Sequence, residues 1–381
     1  MMENFNYNAE NPSKIKVFGI GGGGSNAVAR MFQEGLQNVE LYIVNTDKQH
    51  LESLDQIPNK IVIGENITKG LGAGAKPQIG EEAAKESIDA IKQAMEGADM
   101  VFIAAGLGGG TGTGASPVIA QAAKEMGILT VAVVTKPFDF EGLQKAKVAE
   151  EGLKKLKDVV DTYIVIHNQK LATIAGKRFL WSEAFKLVDS ILYKAVRGIT
   201  DLILVPGLIN VDFADVKTIM ENGGKALIGV GSGRGENKIE EAVISATTSP
   251  LLEGTSIQGS KRLLINIEVS MDISYADVEE AIAQIREATH PESLIIFGAS
   301  LNPNVEDEMR ITVVATDFEG EKQDDTKKKK IERRIPKRTF SQTEKEEVSE
   351  EPKIPGGLIN EIEYEDLDIP AYIRKRKGEI N

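Results

Sequence analysis

Two glycine runs constrain this chain more than anything else in it. Residues 15–20, Ile-Lys-Val-Phe-Gly-Ile, have the character of a short buried strand and run straight into Gly21-Gly22-Gly23-Gly24-Ser25-Asn26. A helical pattern follows over residues 25–33. Glycines let backbone N–H groups crowd around an anion, and a helix N-terminus adds partial positive charge. Taken alone, the junction fits a dinucleotide fingerprint as well as any other phosphate cradle. The second run, Gly106-Leu107-Gly108-Gly109-Gly110-Thr111-Gly112-Thr113-Gly114, also follows a strand-like segment (residues 100–104) and also opens a helix. Two such loops at the carboxyl ends of neighbouring strands put two sets of donors on one phosphate chain. Thr111 and Thr113 add hydroxyls, and a third cluster, with Gly72, Ala73 and Gly74 at its centre, is suited to close over a terminal phosphate.

Around these loops the chain alternates. Strand-like runs at 41–44, 60–63, 129–134 and 162–166 are separated by helical patterns at 80–95, 118–126 and 143–157. Such alternation predicts βαβ units, hence an α/β fold whose Rossmann-like, mainly parallel sheet fills a domain over residues 14–178. Residues 179–205 hold a long central helix and its connection: Ala184, Leu187, Val188, Ile191, Leu192, Ala195, Val196 and Ile199 recur at spacings of three and four, and the helix is expected over 179–200. A second, α+β domain is expected over 206–318, with helices at 213–220 and 277–287 and strands at 226–230, 263–269, 294–300 and 309–315. Residues 319–357 are charged and polar with sparse apolar content, which predicts a disordered linker. The polar N-terminus, 1–13, is read as disordered too, and 358–381 carries a short apolar-plus-basic peptide of docking character.

Composition removes several function classes. The formal charge of −13 argues against a nucleic-acid footprint, which needs a basic face. Cysteine is absent, so disulfides, thiolate metal sites and cysteine nucleophiles are excluded. The N-terminus lacks the layout of a signal peptide, and no apolar run approaches the roughly 20 residues that span a bilayer. A soluble, cytoplasmic protein is expected.

The string Gly-Gly-Gly-Thr-Gly-Thr-Gly with the upstream glycine loop resembles the phosphate-contacting loops of the tubulin/FtsZ superfamily, and the resemblance spans about residues 14–317 plus the tail. It implies that Gly21, Gly22, Gly23, Gly24, Asn26, Gly72, Ala73, Gly74, Gly108, Gly109, Gly110, Thr111, Gly112, Thr113 and Gly114 bind nucleotide. It further implies Glu141 as the ribose contact, Lys145 standing where relatives carry an arginine near the phosphates, Asn168 on the guanine edge, Phe185 stacked on the base and Asp189 accepting from it. A carboxylate accepting two donors suits guanine and repels the N1 acceptor of adenine. Without the resemblance, Phe185 reads as core and Asp189 as a solvated helix position. The GxxxxGK[ST] and NKxD motifs of Walker-type GTPases are absent.

Asn210-Val211-Asp212-Phe213-Ala214-Asp215-Val216 reads on its own as a helix N-cap followed by a second, solvated acid. It resembles the family's loop that reaches the γ-phosphate of a neighbouring subunit, which implies that Asn210, Asp212 and Asp215 orient water at that subunit's GTP. The resemblance therefore implies a GTPase activated by head-to-tail self-assembly, working with GTP/GDP and Mg²⁺, with K⁺ as an optional further cation. The Mg²⁺ is expected on the phosphates rather than on side chains. It implies a filament of the bacterial division ring at mid-cell, beneath the membrane.

Leu367, Asp368, Ile369, Pro370, Tyr372, Ile373 and Arg374 resemble the family's tail peptide, which implies membrane adaptors such as FtsA, ZipA or SepF as partners. Two rivals stay open on sequence. A dinucleotide-dependent oxidoreductase would use Asp47 on the ribose but has no place for the second glycine loop, and a structural filament would bind GTP without cleaving it. Deletion of residues 367–381 is expected to leave assembly and GTP turnover intact and to abolish adaptor recruitment. Co-sedimentation with adaptor-bearing vesicles checks this, and unchanged recruitment would count against the peptide.

Overall fold

The computed structural model describes residues 13–175, 180–205, 207–248, 257–302 and 307–318. The linker and tail-peptide readings, and nearly all of the N-terminal one, lie outside them. β1 (Ile15–Ile20) is buried at all six positions, as expected of a strand covered on both faces. It is followed by α1 (Gly21–Gln33), β2 (Val39–Asn45), α2 (Lys48–Ser53), β3 (Asn59–Val62), α3 (Glu65–Thr68), α4 (Pro77–Glu86), α5 (Ile88–Met95) and β4 (Met100–Gly106). Next come α6 (Thr111–Glu125), β5 (Leu129–Lys136), α7 (Leu143–Lys157), β6 (Thr162–His167), α8 (Asn168–Ala175), α9 (Trp181–Leu204) and α10 (Phe213–Met220). The remainder is β7 (Gly224–Arg234), α11 (Lys238–Thr247), β8 (Ser260–Val269), α12 (Tyr275–Glu287), β9 (Leu294–Leu301) and β10 (Glu308–Phe318).

The strands form one ten-stranded sheet in the order β3-β2-β1-β4-β5-β6-β7-β10-β8-β9. Through β6 the pairing is parallel, and β3-β2-β1-β4-β5-β6 is the doubly wound order, which reverses between β1 and β4. Ligands of such sheets sit outside the carboxyl ends of the strands at that reversal, so the topology alone marks the ends of β1 and β4.

β7 joins the two parts of the chain that the sequence separates. Its first residues, Gly224 to Ala226, pair in parallel with β6, and Leu227 to Arg234 pair antiparallel with β10. The central helix α9 ties the same parts together. Val188, Ile191, Leu192, Ala195, Val196 and Ile199 share one apolar cluster with Val17, Phe102 and Val131 of the parallel strands and with Ile228, Leu264 and Val314 of β7, β8 and β10. A second cluster fills the opposite face of the parallel strands, and a third lies between α11, α12 and the C-terminal strands.

Glycine explains most departures from the expected elements. Both α1 and α6 begin earlier than the pattern suggests, at Gly21 and Thr111, so the glycine runs form the first helical turns, and Pro117 is accommodated inside α6. The single helix expected over 80–95 is two, α4 and α5, broken at Ser87, whose hydroxyl accepts the Gly64 N–H at 3.1 Å. β7 runs past its expected end at Val230. Gly229, Gly231 and Gly233 alternate along it on the face that α11 covers: a Cβ on them would stand 1.8 Å from Ala246 O, 2.1 Å from Ala242 O and 2.1 Å from Lys238 O. The stripe brings the helix backbone down onto the strand. Gly231→Ala is therefore expected to destabilise the fold by about 2 kcal/mol or more, through overpacking that backbone cannot relieve. Urea unfolding checks it, with nucleotide affinity of the folded fraction unchanged.

Candidate nucleotide site

The loops after β1 and β4 open into a cleft of about 270 Å³ at the reversal of strand order. Gly23, Gly106, Leu107, Gly108 and Gly109 line one end of it, Asn168, Phe185, Val188, Asp189 and Leu192 the other, and Asn26, Thr135, Pro137, Glu141 and Lys145 complete the wall. The N-termini of α1 and α6 stand on two paired strands, so both helix dipoles converge there.

The glycines divide into two kinds. A Cβ at Gly24 would meet Ala104 O at 2.2 Å, and one at Gly114 would meet Pro77 O at 1.9 Å, so these two permit close packing. At Gly22 and Gly109 a Cβ would meet nothing within 4 Å. Gly109 lines the cleft, where the open space in front of its backbone suits an anion, whereas Gly22 is exposed to solvent and outside the cleft wall.

The threonines turn out to serve the loop itself. Thr113 Oγ1 accepts the Gly108 N–H at 2.8 Å, and Thr111 Oγ1 lies 2.7 Å from Thr46 Oγ1. Both side chains are buried and outside the cleft wall. Gly72, Ala73 and Gly74 are also outside it: the Gly72 N–H donates to Thr46 O at 3.2 Å, and Ala73 packs against Gly110.

At the other end, Phe185 is 45% exposed, which sets aside its reading as a core residue. Its ring meets Phe138 edge-on, with centroids 5.4 Å apart. Asn168 is buried, and its Oδ1 has no hydrogen-bond partner among the described residues. A buried amide oxygen left without a donor is costly, and a ligand N–H aimed into the cleft would satisfy it. Burial pushes the Asp189 carboxyl up to about 6, against the attraction of Arg30. Glu141 is held at both oxygens: Oε1 accepts the Phe138 N–H at 2.9 Å and Oε2 accepts from Lys145 Nζ at 3.0 Å.

Residues 14–176 match the family model "Tubulin/FtsZ family, GTPase domain", and residues 224–319 match "FtsZ family, C-terminal domain". The "Cell division protein FtsZ" of Aquifex aeolicus (strain VF5) is 55% identical over 370 residues, 97% of this chain and 98% of that protein. The chain belongs to the FtsZ family. It carries the GTPase domain of that family and is therefore a GTP-binding enzyme. The "Cell division protein FtsZ" of Buchnera aphidicola subsp. Acyrthosiphon pisum (strain APS) is 45% identical over 380 residues, covering 96% of this chain and 97% of that one. Among solved structures, "FtsZ dimer, empty (M. jannaschii)" superposes with a TM-score of 0.77 at 45% identity, covering 81% of this chain and 89% of that chain.

Asn210, Asp212 and Asp215 do not line the cleft. Asp212 caps α10, its Oδ1 accepting the Asp215 N–H at 2.8 Å, and Asn210 Oδ1 accepts the Gly207 N–H at 2.7 Å. The local N-cap reading is thus realised in the fold, with Asp212 and Asn210 exposed to solvent. All three follow the C-terminus of α9, whereas Phe185 and Asp189 sit near its start; at ~1.5 Å per residue its 24 residues span about 36 Å.

Sequence reading missed Thr135, Pro137, Val188 and Leu192 in the cleft wall. Val188 and Leu192 stand three and seven positions after Phe185, so helical spacing could have found them, and Thr135 and Pro137 flank the carboxyl end of β5, where the doubly wound rule points. Among the described residues, no three His, Cys, Asp or Glu side chains cluster in a way that could hold a metal.

The Asp189 carboxyl gives a signed prediction. Its folded pKa lies above its unfolded value, so the folded state binds the proton more tightly, and ionisation of the buried group costs stability as pH rises through the unfolded value to about 6. Asp189→Asn is expected to raise the melting temperature of the nucleotide-free protein at pH 8. That advantage should shrink as pH is lowered to 5, and thermal unfolding at the two pH values checks it.

Proposed function

We propose that this chain polymerises head to tail into the filament of a bacterial division ring, and that GTP bound in the cleft of one subunit is cleaved by acids of the next. The observation that carries this reading is the length of α9. From Phe185 to its end at Leu204 the helix runs about 28 Å, and Asp212 follows beyond that end and outside the cleft wall, which supports a geometry in which the acids at the triphosphate come from another copy. A contact that joins one end of a molecule to the other end of its neighbour is heterologous and does not close, so it grows a filament.

Exposed apolar side chains support the same contact. Leu71, Phe140 and Leu143 stand exposed on the loops and helix beside the cleft, and Leu208, Ile209 and Tyr275 stand exposed near Asp212. Self-association also accords with the M. jannaschii relative, which is described as a dimer, and the division role with the names of the bacterial relatives.

In this reading the N–H groups of the two glycine loops hold the triphosphate, with the open face of Gly109 toward it. Asn168 Oδ1 and the ionised Asp189 accept from guanine, Phe185 covers the base, and Glu141 meets the ribose. Lys145 faces the phosphates. Asp212 and Asp215 of the neighbour, assisted by Asn210, orient a water in line with the γ-phosphorus and draw off its proton as the new O–P bond forms and the β–γ bridge breaks. Mg²⁺, held by the nucleotide phosphates rather than by side chains, would supply charge neutralisation, with K⁺ as a further cation. The ring is placed on the cytoplasmic side of the membrane, reached through adaptors such as FtsA, ZipA or SepF on the tail.

Asp212→Ala and Asp215→Ala are expected to retain GTP affinity and to lose turnover by about a hundredfold or more, the scale of a lost acid–base and positioning group. Wild-type turnover per subunit should rise with protein concentration. Mixing Asp212→Ala with Gly109→Asp, which keeps the acids but should reject GTP, should restore part of the rate. A per-subunit rate that stays flat on dilution, with no rescue on mixing, would sink the shared site.

A further inference from the structure

A histidine that no motif singled out stands behind the wall of the nucleotide cleft. His50 Nε2 lies 3.0 Å from Asn26 Oδ1, and His50 Nδ1 lies 3.2 Å from Asn45 Nδ2. Asn45 is buried at the carboxyl end of β2, and its Oδ1 accepts the backbone N–H of Thr46 at 2.9 Å. The backbone that carries the ring is fixed as well, because the main-chain N–H of His50 donates to Asp47 Oδ1 at 3.1 Å, the N-cap bond of α2.

The donor and acceptor roles along this chain follow from one fixed group. A backbone N–H can only donate, so Asn45 Oδ1 must face Thr46 and Asn45 Nδ2 must face the ring. An amide NH₂ can only donate, so His50 Nδ1 is the acceptor and the proton of the neutral ring is on Nε2. His50 Nε2–H then donates to Asn26 Oδ1, which commits the amide of Asn26: its oxygen is turned away to the histidine, and its NH₂ is left for the cleft that Asn26 lines. Each link has one orientation, and the direction is set at β2, outside the cleft.

We propose that His50 is a positioning residue for nucleotide binding, which fixes Asn26 as an obligate donor toward an acceptor on the nucleoside half of the ligand. The inference rests on the reading of the cleft as a guanine-nucleotide site and adds to it a residue and a direction. Asn26 lies one turn beyond Gly23 on α1, away from the glycine loops and toward α9, which is why the nucleoside and not the terminal phosphate receives the bond. A free asparagine amide presents oxygen or nitrogen with equal ease, and an oxygen turned into the cleft would repel the ring nitrogens, ribose oxygens and phosphates that accept there. The relay removes that wrong orientation before the ligand arrives.

Titration calorimetry with GTP and with GDP on the full chain tests this. His50→Ala is expected to weaken both nucleotides by about five- to tenfold, the scale of one hydrogen bond, and by the same factor. His50→Gln, whose amide again offers one acceptor and one donor, should recover most of the loss. In an Asn26→Ala background, His50→Ala should add less than about twofold, since nothing remains to orient. Thermal unfolding of each variant separates a folding defect from a binding defect. A loss that persists at full size without Asn26, a loss confined to GTP, or a His50→Gln variant at the alanine level would overturn the relay. A wild-type chain that bound neither nucleotide would instead overturn the site reading beneath it.

Discussion

The nucleotide cleft exists because two helices start closer to a pair of parallel strands than any side chain would allow. Gly24 lies against Ala104 of β4, and Gly112 lies against Gly106 O, which a Cβ would approach to 2.6 Å. These contacts seat the first turns of α1 and α6 on the ends of β1 and β4, and neighbouring strands in a parallel sheet are about 4.8 Å apart. Two helix N-termini held at that spacing concentrate backbone N–H groups and two positive dipole ends in one place. The packing glycines and the cradle glycines are thus interleaved in the same short strings, and their separation by geometry is what gives each a distinct consequence. Substitution at the first kind disturbs the fold; substitution at the second leaves the fold room and fills open space beside the cleft.

The second constraint is the length and rigidity of α9. Its apolar face is shared between the parallel strands and the antiparallel strands, so the helix is clamped along most of its run by one continuous core. A clamped helix of this length transmits position: the end that lines the cleft with Phe185 and Asp189 and the loop carrying Asp212 keep a fixed separation. Loose connection between the two regions would have allowed the acids to fold back toward the cleft of their own chain. Here β7, paired on one side with β6 and on the other with β10, removes that freedom as well.

Much of this was legible in the residues. The alternation of apolar runs and helical patterns gave the parallel sheet, and Phe213 to Met220 emerged as a helix with the bounds expected from Asp212 as cap. The glycine runs pointed to the cleft, and nine of the residues implied by the family resemblance do line it. What escaped was set by contacts across the fold. Glycine and proline argue locally against helix and strand, so the starts of α1 and α6 and the far end of β7 were read short, although in each case the glycine is there to admit a neighbouring backbone. α11 went unseen although Ile239, Ala242, Val243 and Ala246 recur at helical spacing. The break at Ser87 depends on the N–H of Gly64, 23 residues away in sequence, and the role of His50 depends on asparagines from two other elements.

Lys145 shows how such tertiary detail bears on a substitution that sequence alone leaves open. The resemblance places an arginine at this position, whose planar fork can bind two oxygens at once; a lysine is a point charge on a flexible stem. In the cleft wall Lys145 is paired with Glu141, but it is an exposed partner, and exposed pairs of this kind contribute only about 0.2–1 kcal/mol. Glu141 keeps its bond from the Phe138 N–H whether or not the lysine remains. On the proposed reading of the cleft, the ammonium can therefore leave Glu141 for a phosphate oxygen at small cost, while the carboxylate stays in place for the ribose. A guanidinium would gain a second hydrogen bond at the phosphates, yet it would also grip Glu141 more firmly beforehand. On that same reading, the weaker, more mobile cation loses fork geometry and retains a positive charge that can move to the triphosphate.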